Sequence, residues 1–240
     1  MIQPTVEHAR RILELAPKGL SAGVGEPIPG QMCIEALVCY VLGEPHGDEP
    51  TCVHPADRKY KIRMNAAPGW PDNKTRGEAL AKIGVMQLGT AGTDRTLWAK
   101  KLAELTIRRV VPIALRAAAW RAPDQAPALL AAVELCEQQG TREAAEEARK
   151  VARAAAAYAA AYAAAYAYAA AADAAYAYAD ADAAHAAAAY AADTADAAAA
   201  DAAARVMVLR ISIECAEQAY RETRTPGVEM LEQIEGEMTL

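Results

Sequence analysis

Phenylalanine is missing from all 240 residues of this chain. From residue 141 to residue 225 there is neither glycine nor proline, and from 154 to 204 there is neither lysine nor arginine. The first absence removes the usual bulky core filler and leaves that task to Leu, Ile, Trp and Tyr. The second removes the residues that most readily end a helix. The third leaves six aspartates in that stretch unneutralised: Asp173, Asp180, Asp182, Asp193, Asp196 and Asp201. An acidic surface repels phosphate backbones, so this half argues against a nucleic-acid partner. Motifs that would announce chemistry are also lacking. There is no glycine-rich phosphate loop, no H-E-x-x-H and no G-x-S-x-G.

What is present is dominated by alanine. Hydrophobic residues make up 54% of the chain, but most of them are small. Such side chains gain little transfer energy each and compensate by letting backbones approach closely. Seven of the ten tyrosines fall between 158 and 190. Outside the aspartate-bearing stretch, 25 acidic residues balance 25 basic ones, so the whole net charge of −6 sits there. Alanine is weakly apolar and aspartate recurs among it, which argues against a membrane span. Glu7, Arg10, Arg11 and Glu14 interrupt the first twenty residues, unlike a secretion signal. Five widely spaced cysteines then read as reduced thiols in a cytoplasmic protein.

The periodicity predicts helices throughout. In the first part they cover residues 6–16, 31–42, 57–64, 75–88, 93–120 and 123–139, separated by Gly/Pro-rich loops at 20–30 and 43–55. Pro112 is expected to kink the fifth, and Gly77 and Gly84 weaken the fourth. The stretch 141–225, drawn as one helix, would be roughly 130 Å long with nothing to cover its apolar face. Breaks at Asp180–Asp182 and Asp193–Thr194 give three helices instead, at 141–179, 182–192 and 195–223. The expected fold is all-α. A helix–loop part (1–139) packs against an Ala-rich helical bundle (140–225), and a short tail (226–240) follows.

The densest set of chemically able side chains is Cys33, Glu35, Cys39, His46, Asp48, Cys52 and His54. Three readings compete. A metal site would use the Cys and His, but the spacing lacks a short C-x2–4-C knuckle, and Cys33 and Cys39 point roughly 120° apart on a helix. Nucleophilic catalysis would use Cys33 at a helix start, where a thiol is acidified, with His46 or His54 as base and Asp48 to orient it. That loop–Cys–helix arrangement resembles papain-like cysteine peptidases over about ten residues. The third reading is structural: buried thiols, with His46 and Asp48 holding the loop. A basic patch at Arg58, Lys59, Lys61 and Arg63, with Arg108 and Arg109 further on, is either a ligand- or partner-binding surface or a solvated face. Tyr158, Tyr162 and Tyr166 share one helix face and either form an aromatic platform or pack over alanine.

The segments GEPIPGQMCIEALVCYVLGEPHGDEPTCV (25–53), KIRMN (61–65) and AELTIRRVVPIALRAAA (103–119) resemble a family of uncharacterised bacterial and phage-associated proteins. Its members continue into an Ala/Asp/Tyr-rich region, as this chain does. The resemblance implies no activity, cofactor or catalytic residue. In composition alone, the Ala-rich half also resembles all-helical immunity proteins of bacterial toxin systems. The expectation is a non-enzymatic helical binding or interaction protein without cofactor or metal, self-assembling through Ala/Tyr faces and open to a protein or small-molecule ligand. The alternative is a hydrolase or transferase built on Cys33.

Overall fold

In the computed structural model the chain is described over residues 2–158 and 202–239, and it is all-α. The helices are α1 (Val6–Leu15), α2 (Ile34–Leu42), α3 (Pro55–Ala66), α4 (Asn73–Met86), α5 (Thr96–Arg109), α6 (Val111–Arg121), α7 (Ala126–Gln139), α8 (Arg142–Tyr158), α9 (Ala202–Thr223) and α10 (Pro226–Glu237). The expected breaks at 180–182 and 193–194, with Tyr162 and Tyr166, lie outside the described residues.

Helix starts follow their caps. Asp72 accepts a hydrogen bond from the Thr75 N–H at 2.6 Å, so α4 begins two residues before the expected Thr75. Asp94 accepts from the Thr96 N–H at 2.8 Å and starts α5. The expected kink at Pro112 is a break at Val110, which places the proline in the first turn of α6, where a missing N–H leaves nothing unpaired. The expected C-terminal tail is instead helix α10. Thr225 caps it, and Pro226 occupies its first turn.

The chain forms two compact units, residues 1–98 with 216–240, and residues 99–215. Neither boundary falls at Gly140. In the first unit α4 is central, packing against α1, α2, α3 and α10. Its two glycines are contact points. A Cβ on Gly77 would lie 1.9 Å from the Ala16 carbonyl oxygen, and one on Gly84 would lie 2.6 Å from Ile34 Cδ1. Close approach explains why glycines that weaken a helix locally stand inside this one. The C-terminal end of α4 is covered by the start of α10. There Thr225 Oγ1 donates to the Met86 carbonyl at 2.5 Å, and the Gly227 N–H donates to the Leu88 carbonyl at 3.1 Å.

The second unit stacks α6, α7 and α8. Alanine is the contact residue: Ala114 and Ala118 of α6, Ala132 of α7, and Ala145, Ala148 and Ala152 of α8 are all buried. Gly140 ends α7 in the left-handed region, at φ +63°. Arg108 then closes the helix end, donating to the carbonyls of Glu137, Gln138 and Gln139 at 2.6 to 2.8 Å. That basic residue is spent on a helix terminus.

Candidate functional site

Cys33 stands at the start of α2, as the sequence suggests, but its side chain faces inward. Its Sγ accepts a hydrogen bond from the Ala36 N–H at 3.3 Å, so the thiol serves as the helix cap. Burial pushes that thiol up to about 11, and the neighbouring carboxylates of Glu35 and Asp48 add to the rise. His46 is exposed and its Nε2 binds the Gly25 carbonyl at 2.8 Å. His54 caps α3, its Nδ1 accepting from the Ala56 N–H at 3.1 Å. Among the described residues no hydrogen bond joins Cys33 to His46, His54 or Asp48. Nor do three His, Cys, Asp or Glu side chains among them gather as metal ligands would. All five cysteines are buried and free.

The basic patch divides. Arg58 forms an ion pair with Glu49 at 3.0 Å, and Lys59 and Arg63 lie on the exposed side of α3. Lys61 is fully buried and belongs to a different assembly. Tyr158 ends α8. No helix among the described residues is long and apolar enough to cross a membrane.

That assembly is a polar cluster inside the first unit. Asp57 and Lys61 are one turn apart on α3, with Tyr60 between them. Arg95 comes from the segment before α5, Trp98 from its first turn, and Tyr220 from near the end of α9. Arg95 holds Asp57 through two bonds, Nε to Oδ2 at 3.0 Å and Nη2 to Oδ1 at 2.9 Å. The Tyr220 hydroxyl donates to Asp57 Oδ1 at 2.5 Å and accepts from Lys61 Nζ at 2.8 Å. Trp98 packs on Tyr220 with ring centroids 5.0 Å apart, and the Arg95 guanidinium sits 4.8 Å from the Trp98 ring centre. Burial drives Lys61 down to about 8, against the pull of Glu35 and Asp57. Burial, and then the adjacent Asp57 carboxylate, push the Tyr220 phenol up.

Beside this cluster Glu35, in the first turn of α2, accepts a hydrogen bond from Gln87, the residue that caps α4, at 3.1 Å. Both side chains are fully buried. Burial raises the Glu35 carboxyl to about 8, and Lys61 opposes the shift.

The second unit carries a different feature. Trp120, near the end of α6, is 87% exposed, and Leu130, in α7 just beyond the intervening turn, is 45% exposed. An indole this open on a packed helical pair has no role in the core. No family model, curated protein or solved structure matches the chain.

Proposed function

We propose that this chain is a non-enzymatic helical binding protein that associates with further copies of itself. The observation that carries the reading is Trp120. A tryptophan exposed on a packed helical pair, with Leu130 close by in the chain, has the chemistry of an interface anchor, because aromatic residues dominate binding energy where they are desolvated by a partner. The buried, cap-engaged thiol of Cys33 favours this reading over the cysteine-dependent alternative. The test is light scattering behind size exclusion at several micromolar-range concentrations. The expected result is a dimer or larger that shifts toward monomer in Trp120→Ser. A monomeric mass for the unaltered chain at every concentration would refute the proposal.

A further inference from the structure

Two buried oxygens in the first unit lack any hydrogen-bond partner, and they belong to side chains already joined to each other. They are Glu35 Oε1 and Gln87 Oε1. The other two polar atoms of the pair make the single bond between them, Gln87 Nε2 to Glu35 Oε2 at 3.1 Å. Both orphans are acceptors if Glu35 is ionised, and an unpaired buried acceptor is costly. One proton on Glu35 Oε1 changes this. The carboxyl then donates to Gln87 Oε1 while accepting from Gln87 Nε2, closing an acid–amide ring in which all four atoms are satisfied.

We propose that Glu35 stands in the folded protein as a neutral carboxylic acid, ring-paired with the Gln87 amide, and that this pair is a proton-dependent latch between the first turn of α2 and the C-cap of α4. The packing allows the neutral form. From α3, Lys61 and Arg58 pull Glu35 toward ionisation and Asp57 opposes them. The α4 end contributes the uncharged Gln87 amide, and α1 buries only Ala9, Ile12 and Leu15. Lys61 spends a proton on the Tyr220 hydroxyl rather than on Glu35. When Glu35 ionises, its proton passes to water, one of the two ring bonds is lost, and Gln87 Oε1 is left without a donor. Gln87 also holds the next link, because its carbonyl accepts from Thr90 Oγ1 at 2.7 Å, and that oxygen accepts from the His54 N–H at 3.0 Å, at the start of α3. Release of the latch therefore loosens α2 from the segment that positions α3.

The variant that isolates the proton is Glu35→Gln, since an amide–amide ring keeps both bonds and cannot titrate. The raised carboxyl makes the folded chain hold a proton that the unfolded chain has lost, so stability falls as pH rises from about 4.5 to about 8. The unfolding constant of the unaltered protein should rise up to about tenfold per pH unit across that window relative to Glu35→Gln. The two should be equally stable at the acid end. A readout independent of the variant is carbon NMR of the full chain labelled at glutamate Cδ. One resonance should keep the protonated shift at about pH 6.5, where an ordinary glutamate is ionised. If every glutamate is ionised there, or if Glu35→Gln is less stable than the original at the acid end of the window, Glu35 is a carboxylate and the latch does not exist.

Discussion

Arg95 grips the carboxylate of Asp57 with both arms of its guanidinium, and neither side chain reaches solvent to any useful degree. Two charges in such a place do not make a strong case for stability on their own, because desolvation offsets most of their attraction. Breaking the pair is another matter, since the surviving arginine keeps its burial and loses its counter-ion. Asp57→Ala should cost about 3–5 kcal/mol in urea unfolding. Tyr220→Phe leaves Arg95 in place but removes the hydroxyl that both donates to Asp57 and accepts from the Lys61 ammonium, and should cost about 1–3 kcal/mol. Similar losses from the two would contradict the ranking of arginine over tyrosine as the main partner of Asp57.

Lys61 gives the cluster a second pH dependence of opposite sign. Its ammonium is depressed from 10.5 to about 8 in the folded state. Between those values the unfolded chain binds a proton that the folded chain has released, so stability rises with pH from about 8 to about 10.5. Together with the falling acid limb from Glu35, this sets a stability minimum near pH 8. Lys61→Met should flatten the alkaline limb and, by removing the cation that holds Glu35 down, extend the acid limb to higher pH. Urea midpoints measured across the range would read both limbs, and a single maximum near neutrality would exclude this account.

Thiol reactivity discriminates the roles open to Cys33. Burial holds Cys33 at about 11 and Cys136 and Cys215 at about 12. A nucleophilic cysteine would be shifted the other way. In the folded protein Cys33 should therefore label slowly, on the same scale as Cys136 and Cys215, and all five should label promptly in denaturant. Mass spectrometry of partially labelled protein assigns the sites. Selective fast labelling of Cys33 would reopen the catalytic reading.

Helix positions were legible in the sequence because caps and periodicity are local. Their ends were read less well. Pro112 signals an interruption, but whether it kinks a helix or starts a new one depends on what the flanking helices pack against. Gly77 and Gly84 read as weaknesses because their purpose is the nearness of Ala16 and Ile34, far away in the chain. Residues 226–240 read as a tail, whereas Thr225 before them is a cap and Gly227 lets the turn settle on the end of α4. The buried cluster was half visible. Asp57 and Lys61 are four apart, and with Tyr60 and Met64 they mark an inward face of α3. Reading Lys61 as part of a basic surface missed that alternation. Arg95 and Tyr220 are 38 and 163 residues from Asp57, and no local pattern links them. Glu35, by contrast, stands out among the thiols and histidines, but its partner Gln87 carries no spacing signal at all.

Because residues 1–98 share a unit with 216–240, that unit is finished only after residues 99–215 have been made. The intervening residues take on the order of ten seconds to synthesise. Throughout that interval Asp57 and Lys61 lack the Tyr220 hydroxyl, and the end of α4 lacks its cover from Thr225 and Gly227. The nascent chain must therefore wait, incomplete, for its own closing piece, and a translation product cut short before residue 216 would remain in that waiting state for good.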